Sequence, residues 1–283
     1  MAAVLEPPFG THALPAWAET LRRAAQRAGT GPLARRAASL IRRICLVGRS
    51  DPVDVEPFPG QRARLYPRDN LSEKRVFGGV QFWDAAERAA LQAAMADAPR
   101  PFCFVDAGAN AGLYSLAVRS FGPALIVAVE PDAENLRRLR DNLEASGATE
   151  VTVAPVALSD RPGFVRIAAA TGNRGETSVT AAEDGIPARP LLEVVRAAGL
   201  PRIDALKIDI EGAELPVLRA FFETAPPTLH PALILIEARR GEETEALAHL
   251  RATGYSEAAR TKMNAIIQAG PSRQSTGGQN GQA

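Results

Sequence analysis

Two stretches of this 283-residue chain concentrate residues able to do chemistry. The first is Val105-Asp106-Ala107-Gly108-Ala109-Asn110-Ala111-Gly112, in which a carboxylate precedes two glycines and an amide. Glycines in such a loop let backbone N–H groups and a helix N-terminus reach a ligand where a Cβ would block the approach. The spacing is Asp-x-Gly-x-x-x-Gly rather than Gly-x-Gly-x-x-Gly, and the Asp106 carboxylate stands where a dinucleotide's diphosphate would come close. A negative group there suits a cationic or neutral ligand. Glu130 follows roughly twenty residues after the loop, where an acid accepts the two hydroxyls of a ribose.

Ribose without diphosphate fits S-adenosylmethionine, so Asp106, Gly108, Asn110, Gly112 and Glu130 are the candidate cofactor-binding residues. Ser159 and Asp160, in Ala157-Leu158-Ser159-Asp160, are candidates to meet the adenine edge. The alternative for both is an ordinary turn. A nicotinamide-dependent oxidoreductase needs a diphosphate-compatible loop, and Asp106 argues against one.

The second stretch is Leu206-Lys207-Ile208-Asp209-Ile210-Glu211-Gly212-Ala213-Glu214. Lys207 and Asp209 share one face of a strand by its period of two. An unpaired buried charge costs several kcal/mol, so the two are expected to pair or to lie in a wet cleft. Charges at the carboxyl ends of parallel strands mark the crevice where ligands bind. Glu237 ends the neighbouring predicted strand and is placed to join Asp209 and Glu211. The bland alternative is that Lys207 only neutralises a nearby carboxylate.

The elements that must position these residues are legible. Phe102 to Val105 is a short apolar run suited to a strand buried on both faces, and Ala111 to Arg119 is a helix stopped by Gly122. Leu125 to Val129 is a second strand, and Asp132 caps a helix through Leu143. Val151 to Val156 is a third strand, and Phe164 to Ala170 an antiparallel one. Thr171 to Ser178 is a polar active-site loop, followed by a helix over 190–198. Strands over 203–209 and 233–238 alternate with helices over 213–222 and 242–252. An antiparallel pair, 255–261 and 264–269, closes the order. The expected fold is α/β: a doubly wound, Rossmann-like methyltransferase sheet with an antiparallel last strand and an N-terminal helical extension.

Residues 1–64 read as that Arg-rich helical extension and a linker, 65–269 as the catalytic domain, and 270–283 as a disordered tail rich in Gly, Gln and Ser. Two helices separated by Gly31-Pro32 carry apolar faces at Trp17, Leu21, Ala24 and Ala28, and at Leu33, Ala37, Leu40, Ile41 and Ile44. The segment 51–80 reads as a linker or lid with one strand over 62–66, and Asp84 as the N-cap of a helix over 84–96. The arginines form either a solvated basic face or a loose contact with anionic lipid or an acidic partner. Because the apolar faces contain much Ala, no stable membrane insertion is expected.

Net charge is +1, from 33 basic and 32 acidic residues, so no whole-molecule field points to nucleic acid. The two cysteines, Cys45 and Cys103, make no disulfide framework or metal cluster and are expected to be buried thiols. No apolar run reaches the length of about twenty residues that spans a bilayer, and the first residues lack a leader pattern. The expected location is cytoplasmic.

Together the Asp106 to Gly112 loop, Val129-Glu130-Pro131, Ala157 to Asp160 and Lys207-Ile208-Asp209-Ile210-Glu211-Gly212-Ala213-Glu214 resemble the FkbM family of S-adenosylmethionine-dependent methyltransferases. The resemblance covers roughly residues 65 to 269. Asn173 to Ser178 is similar to that family's Asn-x-Gly-x-x-Ser loop. Where the family carries a Thr-Leu-Asp-type segment, this chain has Ala188-Arg189-Pro190-Leu191, so no role is transferred there. The resemblance implies methyl transfer to a hydroxyl of a sugar, polyketide or other secondary metabolite, a small-molecule or glycan acceptor rather than nucleic acid. Asp209 is the first candidate for the base, with Glu211, Glu237 and Lys207 beside it, and no metal is assigned. The alternatives are a non-catalytic S-adenosylmethionine-binding scaffold, or an enzyme acting on lipid or protein.

Overall fold

The computed structural model describes residues 7–169 and 177–270. It begins with two helices, α1 (Ala16–Arg27) and α2 (Pro32–Cys45), which Pro32 starts from the first helical position. They pack through small residues: Ala18 and Ala25 of α1, and Ala38 and Cys45 of α2, are buried. Arg22 is buried among them, its guanidinium donating two 2.7 Å bonds to Glu19. This inverts the expected orientation, because Trp17, Leu33, Leu40 and Ile44 are exposed. Small side chains allow the close helix approach that the large ones would prevent.

The expected linker is structured. Val53–Phe58 (β1) and Gln61–Leu65 (β2) form an antiparallel hairpin around Pro59 and Gly60. Asp54 and Arg64 form a buried ion pair at 2.8 Å across it. Leu71–Gly79 (α3) follows, capped by Asn70, whose Oδ1 accepts from the N–H groups of Ser72 and Glu73. Ala85–Asp97 (α4) is the helix expected there, but Asp84 does not cap it. Its φ of +40° turns the carboxylate away, onto the Tyr114 hydroxyl, which donates at 2.9 Å.

The sheet then builds from β3 (Phe102–Ala107), α5 (Leu113–Phe121), β4 (Ala124–Val129), α6 (Ala133–Ala145) and β5 (Val151–Ala154). A second small sheet follows, with β6 (Ala157–Leu158), β7 (Gly163–Ala169), β8 (Thr177–Ala182) and β9 (Ile186–Arg189) in the order β6-β9-β7-β8. The chain returns through α7 (Leu191–Ala197), β10 (Ala205–Ile208), α8 (Glu214–Thr224), β11 (Leu233–Glu237) and α9 (Glu245–Ala252) to the hairpin β12 (Tyr255–Arg260) and β13 (Asn264–Ala269). The main sheet has seven strands in the order β12-β13-β11-β10-β3-β4-β5. The strands β11, β10, β3, β4 and β5 are parallel, and β13 slots antiparallel between β11 and β12.

Alternation along β3 shows why the sheet is doubly wound. Phe102 and Phe104 join the core on one face with Leu91, Leu116 and Leu139, whereas Cys103, Val105 and Ala107 join the other with Leu191, Leu218 and Leu247. Cys45 and Cys103 are both free and buried. The third strand stops at Ala154 rather than Val156, because Ala157 and Leu158 leave the main sheet to pair with Ala188 and Arg189. The expected polar loop over 171–178 falls largely outside the described residues, as does the tail 271–283.

Candidate active site

The parallel strands all end on one rim, where a cavity of about 410 Å³ opens. A sheet whose strand order reverses at β3 leaves its crevice there, since α5 and α8 pack on opposite faces. Gly108 to Asn110 follow β3, Val129 to Pro131 follow β4, Asp209 to Glu211 follow β10, and Glu237 ends β11. The remaining wall comes from α3, Trp83, Asp84, Tyr114, Met263 and Asn264.

On the cofactor side, Gly108 has a φ of +78°, and a Cβ on it would lie 1.9 Å from the Asp209 carbonyl oxygen. Asn110 takes a φ of +51°, which Asn tolerates better than most residues. Its N–H donates to Glu130 Oε2 at 2.7 Å, and its Oδ1 accepts from Asn70 Nδ2 at 2.8 Å. Glu130 Oε1 accepts from the Asp132 N–H at 2.9 Å. Each carboxylate oxygen therefore keeps acceptor capacity beyond the bond that fixes it. Burial pushes Glu130 up to about 7, against the hydrogen bonds from the Asp132 and Asn110 N–H groups. Beside it, Asn135 lines the cavity with a buried Oδ1 that has no hydrogen-bond partner.

Not every sequence-predicted cofactor residue reaches this cavity. Asp106 is fully buried beneath it, where Oδ2 accepts from the Ser115 N–H at 3.1 Å and the Ser115 hydroxyl at 2.8 Å. Gly112 has a packing requirement, since a Cβ there would lie 2.5 Å from Leu139 Cδ1. Ser159 spends its hydroxyl on the Arg161 carbonyl at 2.6 Å, and Asp160 lies exposed near Arg161. The wall at that strand end is instead Val156, Ala157 and Leu158.

The reactive side is a charge cluster. Lys207 lies almost buried, with Nζ donating to the Gly108 carbonyl at 2.9 Å and standing 3.4 Å from Asp209 Oδ2 and 4.0 Å from Asp106 Oδ1. Burial opposes its ammonium, but Asp209 and Asp106 outweigh burial and raise its pKa. Tyr114 covers the ammonium with its ring, 5.4 Å away, and Trp83 packs on Tyr114 at a tilt of 58°, 4.9 Å between ring centres. Burial, together with the charges of Asp209 and Glu214, pushes Glu237 up to about 7. Glu211 lines the same wall with a φ of +57°, in a loop fixed by Glu214 Oε1, which accepts from the Ile210 N–H at 2.9 Å. Asp209, Glu211, Glu237 and Lys207 thus converge on one cavity with Gly108, Asn110 and Glu130.

Sequence reasoning missed Asn135, Asp84, Tyr114 and Arg75, which also line the cavity. Asn135 carried a faint signal, in the first turn of a helix just past Glu130. Asp84 and Arg75 carried none, because their approach depends on how the segment before the sheet folds back. Among the described residues no group of three His, Cys, Asp or Glu is arranged to hold a metal ion.

Residues 106–257 match the Methyltransferase FkbM domain. The chain belongs to the FkbM methyltransferase family. That membership makes it a methyltransferase, and S-adenosylmethionine is the cofactor the family implies. A curated relative is the AMB antimetabolite synthetase AmbE of Pseudomonas aeruginosa, 30% identical over 51% of this chain. The match spans only 9% of that protein's length. Among solved structures, the C-terminal domain of precorrin-6Y C5,15-methyltransferase from Rhodobacter capsulatus is similar with a TM-score of 0.41 and 16% identity. It covers 67% of this chain and 90% of that one. Precorrin-6y C5,15-methyltransferase from Geobacter metallireducens gives 0.39 and 19%, over 64% and 86% of the two chains. The FkbM match spans Gly108, Asn110, Glu130, Lys207, Asp209 and Glu237, but not the wall supplied by α3, Trp83, Asp84, Met263 and Asn264.

Proposed function

We propose that this FkbM methyltransferase transfers a methyl group to a hydroxyl of a small-molecule or glycan acceptor, such as a sugar or polyketide. The observation that carries this reading is the Asp209 carboxylate, 3.4 Å from Lys207 Nζ in the cavity that Glu237 and Glu130 also line. S-adenosylmethionine, when bound, supplies an electrophilic methyl group on a cationic sulfur.

Its fit is argued from the unpartnered Oδ1 of Asn135 and the residual acceptor capacity of Glu130, both suited to ribose hydroxyls or an adenine amine. Gly108 and Asn110 supply the close backbone approach. The carboxylates of Asp84, Asp209, Glu211 and Glu237 favour a cation in the same space. Asp106 and Gly112 contribute from outside the cavity wall, Asp106 beside Lys207 and Gly112 packed against Leu139 of α6.

A strong electrophile leaves the protein two tasks, in-line positioning and removal of the hydroxyl proton. Lys207 Nζ stands 3.4 Å from Asp209 Oδ2 and orients that carboxylate, and burial raises the neighbouring Glu237 to about 7. Asp209 is then the acceptor for the substrate's proton, with Glu211 lining the same side. Amine acceptors are the poorer fit because Asp209-Ile210-Glu211-Gly212 stands where methyltransferases of exocyclic nucleic-acid amines carry an Asn/Asp-Pro-Pro-Tyr block.

The test is incubation of the purified protein with methyl-labelled cofactor and metabolite extracts, followed by identification of the labelled bond. Label in a methyl ether supports the reading. Label on nitrogen or carbon overturns it, and cofactor binding without transfer to any fraction assigns the chain to a non-catalytic scaffold.

A further inference from the structure

The N-terminal helices turn their small residues inward and their large apolar residues outward. Leu33 is 78% exposed, Leu40 58%, Ile44 40%, and Val47, just past the end of α2, 76%. At about 100° per residue, Leu33, Leu40 and Ile44 lie within about 40° of one another and form one stripe along the helix. Single exposed leucines are ordinary, but a contiguous stripe marks a contact surface. Arg36 and Arg43 repeat at the same interval along one flank of the stripe, and α2 carries no acidic residue. At its C-terminal end, Val47 borders a surface recess lined by Arg43, Arg68 and Lys74.

The occupant of this face must be apolar in its interior and anionic at its rim. A second copy meeting it across a two-fold axis would bring the same arginines together. An anionic lipid surface satisfies both demands. Leucine, isoleucine and valine side chains enter the boundary between headgroups and acyl chains, and the arginines remain at the level of the phosphates. With Arg42 the recess has four basic residues, which suit a lipid phosphate at the end of the stripe. We propose that the outward stripe of α2, with Arg36, Arg43 and the adjoining recess, docks this protein on an anionic membrane surface.

Docking of this kind lays the helix in the interface and needs no spanning segment. No described helix is long and apolar enough to cross a membrane. The sequence argued for weak insertion because alanine contributes little apolar area, but the fold buries Ala18, Ala25 and Ala38 and leaves Leu33, Leu40 and Ile44 exposed for lipid.

Flotation of the purified full chain with phosphatidylcholine vesicles, with and without phosphatidylglycerol, tests the proposal. The wild type is expected to float with the anionic vesicles and not with the neutral ones. Combining Leu40→Ser with Ile44→Ser, both exposed positions, is expected to lower bound protein about tenfold at low and high salt alike. Combining Arg36→Glu with Arg43→Glu is expected to abolish binding at low salt, and unchanged melting curves show that both variants fold. Wild-type protein that ignores anionic vesicles, or flotation unaffected by either pair of substitutions, overturns the proposal. A dimer that Leu40→Ser breaks, without flotation, assigns the face to a second copy and also overturns it. Retention on immobilised polyglutamate without flotation assigns it to an acidic protein, with the same consequence.

Discussion

Gly108 and Asp209 are in backbone contact: a Cβ on the glycine would lie 1.9 Å from the aspartate's carbonyl oxygen. The cofactor loop and the acidic segment are therefore one object, and their separation cannot widen without moving both. Gly108→Ala adds a side chain at a φ of +78° as well as the collision. Backbone strain alone costs about 1–3 kcal/mol. The variant is expected to melt earlier and to lose S-adenosylhomocysteine binding by calorimetry. Wild-type affinity in Gly108→Ala would remove the loop from the cofactor site.

Glu130 is expected to carry the ribose hydroxyls in its ionised form. Glu130→Ala should weaken binding by about 1.5–3 kcal/mol, the range for hydrogen bonds to a charged group. With a pKa of about 7, affinity should rise as pH climbs through neutrality. Glu130→Gln should bind more weakly above neutrality and flatten this dependence. A pH-independent dissociation constant in the wild type would contradict the assignment.

Stability should move the opposite way from affinity. Glu73, Glu130 and Glu237 are each raised to about 7, first by burial. A raised carboxyl binds its proton more tightly folded than unfolded, so its contribution is present at low pH and is lost as pH rises from the ordinary glutamate value to about 7. Denaturant unfolding of the cofactor-free protein should show stability declining across that window. Substituting Gln at position 130 should shrink the slope, and a rising slope would refute the reading.

Asp209→Asn keeps the shape of the site and removes the base. Turnover on an identified acceptor is expected to fall about 10²–10⁴-fold, far more than affinity for the cationic cofactor. Full turnover in this variant would exclude Asp209 as the base and leave Glu211 and Glu237 as the candidates.

Lys207 is expected to matter for folding as well as chemistry. It stands 4.0 Å from Asp106, whose Oδ1 is buried without a hydrogen-bond partner. Lys207→Met strands that carboxyl group, and breaking a buried pair from one side costs about 3–5 kcal/mol. Urea titration should register the loss. A double variant that adds Asp106→Asn should recover part of it.

The parallel sheet was legible because each strand is an apolar run ending in a chemically distinctive residue, as Val105 precedes Asp106 and Ile208 precedes Asp209. The antiparallel hairpin around Lys262 and Met263 was legible from its turn. The segment before the sheet was not. Pro57, Pro59, Gly78 and Gly79 read locally as breakers, whereas Asn70 starts a helix and Pro59-Gly60 turns a hairpin. Periodicity also found the apolar stripes of α1 and α2, but the side it marked for covering is the one left exposed at Trp17, Leu33, Leu40 and Ile44. There alanine packing won over hydrophobicity, a tertiary choice no single helix encodes. Asp84 looked like a cap and became a partner of Tyr114 for the same reason: its backbone follows the neighbouring fold rather than its own propensity.

The segment matched to the FkbM domain begins at Asp106, yet Leu71, Ser72, Arg75, Trp83 and Asp84 form a wall of the cavity from upstream, and Met263 and Asn264 from downstream. On the proposed reading, chemistry and choice of acceptor fall to different stretches of polypeptide. Mutations or insertions in the flanks can reshape what enters the cavity while the strand ends that do the transfer stay as they are. Exchange of residues 71–84 between relatives is thus the shortest route to altered specificity, and the Asn70–Asn110 hydrogen bond is the seam such a graft has to preserve.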